Sequence, residues 1–158
     1  MTPADWNTDF LDVVDCFEAE GVDFVVVGAF ALAQHGVSRA TGDLDLLIRP
    51  TVENARRVLS ALRRFGAPLA GASEDDFARP GTVFQMGVVP RRIDVLTELT
   101  ALSFDEVWAT RVPHAVDGRL LSFVGEEAFL KNKRALGRPK DAADVDALEQ
   151  LRSRKRRE

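Results

Sequence analysis

Three carboxylates dominate the chemistry written in this chain: Asp43 and Asp45 in the run Asp43-Leu44-Asp45-Leu46, and Asp94 in Arg92-Ile93-Asp94-Val95. Successive side chains of a β-strand point to opposite faces, so Asp43 and Asp45 share one face while Leu44 and Leu46 turn into a core. Asp94 repeats the pattern between Ile93 and Val95. If the two strands lie side by side, three carboxylates converge. Two such charges ~5 Å apart repel by roughly 3 kcal/mol at an effective dielectric of ~20. Three therefore need a cation, and hard divalent ions with oxygen ligands, Mg²⁺ or Mn²⁺, suit them best. Arg39, Arg91 and Arg92 are the competing partners, able to neutralise the same carboxylates as plain salt bridges. The turn Gly28-Ala29 adds a second feature. It joins a buried strand to a helix N-terminus, where free backbone N–H groups can hold phosphate.

The elements that must position these residues can be read along the chain. Trp6, Phe10, Val13, Val14 and Phe17 recur at helical spacing, and Gly21 closes that helix. Residues 22–27 read as a buried strand, followed by a short helix from Ala29 to Gln34. Asp43 to Ile48 is a second strand. Thr51 caps a helix that runs through Phe65 to Gly66. Residues 67–81, rich in Gly, Pro, Ala and Asp, read as a loop. Strands resume over 82–88 and 91–97. Ser103 and Glu106 have capping-box spacing and open a helix to Ala109. Asp117-Gly118 joins strands 112–116 and 119–124 as a two-residue hairpin. Two helices follow, over about 126–136 and 141–151. The expected fold is α+β: a mixed sheet with helices packed on one side.

Composition sets the frame. The 158 residues are 46% hydrophobic and 29% charged, which suits one globular domain over 1–151. Cys16 is the only cysteine, so intrachain disulfides and cysteine-built metal centres are excluded, and two histidines are too few for a histidine-built zinc site. The acidic N-terminus is no secretory signal and no apolar run approaches the ~20 residues of a membrane span, so a cytoplasmic location is expected. Residues 152–158 hold five basic side chains against Glu158. This basic tail carries +4, leaves −8 on the rest of a chain whose net charge is −4, and reads as a solvated terminus or a phosphate-backbone contact.

Taken together, the residues resemble the polymerase-β-like nucleotidyltransferase superfamily. The likeness leans toward its small bacterial members of the abortive-infection, type IV toxin group. It is carried by Val27-Gly28-Ala29-Phe30-Ala31-Leu32, His35-Gly36, Arg39, Thr41, Asp43 to Leu47, Arg92 to Leu96, Asn132 to Ala135 and Gly137 to Asp144, and it spans roughly residues 20–150. Ala29 stands where the superfamily often has Ser or a second Gly, leaving only backbone N–H groups there. The resemblance implies a two-metal transfer of a nucleotide from a nucleoside triphosphate to a hydroxyl acceptor, with Mg²⁺ or Mn²⁺ as cofactor. Asp43, Asp45 and Asp94 would be metal ligands and catalytic residues. Gly28, Ala29, Arg39, Thr41, Lys133, Arg138 and Lys140 would face the nucleotide. Lys133 shares a helix face with Phe129, Leu136 and Gly137, so snorkelling along apolar surface is the competing reading. Asp141 reads as a helix cap, and Asp144 as a group that orients Lys133 or Arg138. His35 reads as more than a structural histidine by resemblance alone. The acceptor is left open among an RNA end, a protein and a small molecule, as are ATP or another triphosphate and a homodimer. The alternative is a catalytically weak binding or regulatory module, acting through nucleic acid or within a toxin–antitoxin pair.

Overall fold

The computed structural model describes residues 6–38, 42–88 and 91–158, which form a six-stranded mixed sheet and seven helices in an α+β fold. Helix α1 (Thr8–Ala19) starts where Asn7 accepts a hydrogen bond from the Phe10 amide at 2.9 Å. Phe10, Val13, Val14 and Phe17 form its buried stripe. That stripe packs against α3 (Val52–Phe65), whose own stripe is Ala55, Val58, Leu59, Ala61 and Leu62. The Thr51 hydroxyl caps α3, and Gly66 ends it in the left-handed conformation.

Strands β1 (Phe24–Val27) and β2 (Asp43–Ile48) are antiparallel neighbours, joined through the short helix α2 (Gly28–Gln34). Strands β3 (Val83–Met86) and β4 (Arg92–Leu96) form an antiparallel pair. Helix α5 (Phe104–Ala109) precedes the hairpin of β5 (Val112–Val116) and β6 (Arg119–Phe123). Asp117 and Gly118 both have positive φ at its tip, as a two-residue turn of the primed kind requires. The sheet order is β3-β4-β2-β1-β6-β5, with β2–β4 and β1–β6 parallel.

The β2–β4 pairing fixes everything that follows. Leu44 and Leu46 are fully buried, and so is Val95, with Ile93 nearly so. Truncating a buried Leu to Ala costs roughly 2–5 kcal/mol, and a one-residue slip would send both leucines to the polar face. The register is therefore pinned by the apolar face, and the aspartates on the opposite face are pinned with it.

The expected loop over 67–81 contains a helical turn, α4 (Glu74–Phe77). The Ser73 amide and hydroxyl both donate to Asp76, and Phe77 is buried with its ring 5.7 Å from that of Phe84. One capped turn and one buried aromatic outweigh the flanking Gly, Pro and Ala. Helix α6 (Glu126–Leu136) matches expectation. Helix α7 runs from Pro139 to Arg157, longer at both ends than expected. Proline at the first position suits a helix start, and basic residues in the last turn complement the helix dipole. Arg152 also pairs with Glu127 of α6, so the basic stretch is helical. Among the described residues, no helix is long and apolar enough to cross a membrane.

Candidate active site

Parallel pairing of β2 with β4 sets Asp45 opposite Asp94 and Asp43 opposite Arg92. The three carboxylates anticipated from the alternating pattern do share one face, and Arg92, two residues before Asp94, shares it with them. On the other side of Asp45 lies the end of β1, where Val27 is its register partner. The next residue, Gly28, has φ +71°, and a Cβ there would stand 2.2 Å from Asp45 Oδ2. Any side chain at 28 would collide with that carboxylate as well as strain the backbone. Helix α2 begins at this glycine, and no side chain caps its N-terminus. Ala29 follows, half-buried.

The electrostatics of the cluster are those of crowded acids. Burial pushes the Asp45 carboxyl up to about 7; the charges of Asp94 and Asp43 and a hydrogen bond to Asp94 add to the rise, and Lys133 opposes it. Arg92 Nη2 donates to Asp43 Oδ2 at 2.7 Å, and Arg92 Nε lies 3.1 Å from Asp94 Oδ1. The competing salt-bridge reading of Arg92 is thus realised, but incompletely. Nε and the Asp94 Oδ1 are both buried, and neither makes a hydrogen bond despite their proximity. Asp94 as a whole is 7% exposed. Among the described residues no three ligating side chains already stand as a closed metal cage. The donor set nevertheless fits a hard divalent cation: all-oxygen ligands, a buried carboxylate oxygen without a hydrogen bond, and a glycine where any Cβ would close the space beside Asp45.

Lys133 projects from α6 and is 14% exposed at the side chain. Its Nζ lies 3.4 Å from Asp141 Oδ1 and 3.8 Å from Asp144 Oδ2, and 5.6 Å from the centre of the Phe129 ring. Lys133 therefore combines packing along an aromatic with ion pairing to two buried acids, and its charge still reaches Asp45. Of the two groups expected near Asp144, it is Lys133 that pairs with it. Asp141 is fully buried, and not at the cap position itself. It sits three residues into α7, accepts from the Arg138 amide at 3.2 Å and from Arg138 Nε at 2.6 Å. The guanidinium hydrogen bond draws the Asp141 carboxyl down to about 2 against the cost of burial, with help from Lys133. The spacing Arg138-x-x-Asp141 was the sequence sign of this pair. Lys140 is exposed at the start of α7. Arg39 and Thr41, also expected at the nucleotide, lie outside the described residues.

His35 Nε2 is 2.7 Å from the Val124 carbonyl, which ties the end of α2 to the turn after β6. Trp6 packs edge-on against Phe30 and Phe123, and Trp108 stacks on Phe104 under Arg111; both are partly buried against the core.

No protein-family model matches the chain, and no curated protein matches it in sequence. Solved structures do match in fold. The lincosamide antibiotic adenylyltransferase LnuA, in its lincomycin-bound crystal structure, superposes with a TM-score of 0.61 at 12% identity, over 91% of this chain and 96% of that one. The antibiotic-resistance factor ANT(2'')-Ia gives 0.57 at 15% identity, over 94% and 91%. TM1012 of Thermotoga maritima, a candidate nucleotidyltransferase, gives 0.55 at 13% identity, over 98% of both chains. The likeness runs the length of each partner, and the chain has the polymerase-β-like nucleotidyltransferase fold.

Proposed function

We propose that the chain is a metal-dependent nucleotidyltransferase that moves a nucleoside monophosphate from a nucleoside triphosphate to a hydroxyl of a small molecule. The observation that carries this reading is the register of Asp45 on Asp94 beside the Gly28 turn, with Asp43 completing the acidic face. In the reaction the acceptor oxygen bonds to the α-phosphorus, the bond to the bridging oxygen breaks, pyrophosphate leaves and the hydroxyl proton departs. Bound Mg²⁺ or Mn²⁺ supplies the charge that stabilises the attacking and leaving oxygens of this in-line displacement.

The chain's own groups divide the rest. Asp43 and Asp45 would hold the cations. Asp94 would be a further ligand and would favour loss of the acceptor's hydroxyl proton. Backbone N–H groups of Gly28 and Ala29 receive phosphate oxygens at the start of α2. Lys133, Arg138, Lys140, Arg39 and Thr41 supply cationic and polar contacts to the triphosphate. Lys133 is held for this work by Asp141 and Asp144.

A small-molecule acceptor is favoured because the fold likeness covers nearly all of LnuA, an enzyme that adenylylates an antibiotic. Incubation with each α-labelled nucleoside triphosphate and Mg²⁺, against separate pools of hydroxylated small molecules, RNA and protein, tests the proposal. Label should enter the small-molecule pool and vanish on chelation of the metal. Label in RNA or protein would transfer the same site to the acceptors of a toxin-type activity. No label in any pool, from protein of verified fold, would overturn the proposal.

A further inference from the structure

Arg92 is the residue that nucleotide transfer leaves without a role. It stands on β4 directly across from Asp43 and on the same face as Asp94. Its guanidinium spans these two carboxylates, 2.7 Å from one and 3.1 Å from the other. The cluster it neutralises is the one assigned above to a divalent cation, so two cations have a claim on the same oxygens.

An arginine built only to hold the fold would use its fork fully, since aligned bidentate pairing is what makes the arginine–carboxylate contact strong. Arg92 does not. Its Nη2 is shared between Asp43 Oδ2 at 2.7 Å and Asp94 Oδ2 at a long 3.4 Å, and its Nε is buried without a hydrogen bond, facing an Asp94 oxygen that also has none. Arg49, just past the end of β2, by contrast directs Nε and Nη1 into aligned bonds with two separate carboxylates. Arg92 is also about one-third exposed at the side chain, so solvent reaches the guanidinium without the strand moving. Arginine stays charged at any working pH, so it can leave the carboxylates only by moving.

We propose that Arg92 is the resident counter-cation of the site: it balances Asp43 and Asp94 in the metal-free protein and must release both for a divalent cation to enter. This rests on the metal reading of the carboxylates. Free-metal affinity is then set by competition, and removing the arginine's charge exposes the stronger underlying site.

The test is Mn²⁺ titration followed by loss of the free-ion electron paramagnetic resonance signal, on the wild type, Arg92→Gln and Arg92→Lys. Arg92→Gln should bind Mn²⁺ about tenfold to a hundredfold more tightly than wild type, the worth of one to two charge-assisted contacts. Arg92→Lys, which keeps the charge, should return most of the way to wild-type affinity. A purely structural arginine would not order the three proteins by charge. Should Arg92→Gln fail to fold, the Arg92 Nε–H resonance of the wild type, assigned by its absence in Arg92→Lys, should shift on saturation with Mg²⁺. Wild-type binding with no gain in Arg92→Gln, or an Nε–H signal unmoved by Mg²⁺, overturns the inference and leaves the metal reading standing. Absence of Mn²⁺ binding in all three proteins overturns both.

Discussion

The two ends of strand β2 carry similar residues arranged to opposite effect. At its far end Arg49 donates Nε to Asp23 at 2.9 Å and Nη1 to Asp105 at 2.7 Å, and its guanidinium lies 4.6 Å and 5.3 Å from the ring centres of Phe104 and Trp108. The donors are aligned and the faces covered, so that end is a closed network that ties β2 to α5. At the near end Asp43, Asp45 and Asp94 crowd together, and among the described residues Arg92 Nε and Asp94 Oδ1 are buried without a hydrogen bond. Buried polar groups are ordinarily satisfied, so a buried pair such as Asp94 Oδ1 and Arg92 Nε that is not marks a place where a further partner can bind. Completeness of pairing, more than the presence of charge, separates a brace from a site.

Breaking the near end should have the largest effect. Asp94→Asn keeps shape and removes the charge that would favour loss of the acceptor's proton, so turnover in the transfer assay should fall about a hundredfold or more. Circular dichroism should show the fold retained. Near-normal turnover in Asp94→Asn would remove that residue from the mechanism. At the far end the effect should be on stability alone. Arg49→Ala loses two charge-assisted bonds and an aromatic stack, and urea denaturation should show a loss of about 1–3 kcal/mol, discounted for solvent at the exposed partner. Transfer activity per folded molecule should be unchanged.

A pH series sharpens the contrast further. The native Asp45 carboxyl holds its proton up to about 7, whereas the ordinary value is 3.8. Between those values the native state binds more protons than the unfolded one, so metal-free stability should fall as pH rises from about 4 to 7. Asp45→Asn should flatten that slope in chelator-containing buffer; the same slope in the variant would show that another group causes it. The smallest effect belongs to Asp105→Asn. That carboxylate is 85% exposed, and exposed pairs contribute about 1 kcal/mol or less, so its melting curve should nearly overlay the wild type.

The parts of this contrast that were legible in sequence are those with a local period. Alternation put Asp43, Asp45 and Asp94 on polar faces, and the hairpin and the α3 cap were readable from Asp117-Gly118 and Thr51. What joined the carboxylates was not local. Strands β2 and β4 are parallel neighbours only because α3, α4 and β3 lie between them in the chain, and such a crossover leaves no mark on either strand. The approach of Gly28 to Asp45 is equally silent, since any glycine turn would read the same. Arg92 reads as one of three candidate neutralisers and as part of the strand carrying the resemblance, because strand alternation gives its face and not its partner. The capped turn at Ser73 was hidden by flanking small residues. The last turns of α7 were hidden by charge, which reads as a solvated end although a helix C-terminus favours it.

The divalent-cation site proposed at the near end of β2 and β4 can be tested by the melting temperature with and without saturating Mg²⁺, in the wild type and in Asp43→Asn/Asp45→Asn, at matched ionic strength. A cation that binds only the native state at a hundred times its dissociation constant adds about 2.7 kcal/mol, which is several degrees for a chain of this size. The wild type should gain those degrees. The double variant, relieved of carboxylate repulsion, should melt no lower than the metal-free wild type and should gain nothing from Mg²⁺. An equal Mg²⁺ gain in both proteins would place the bound cation elsewhere than on Asp43 and Asp45.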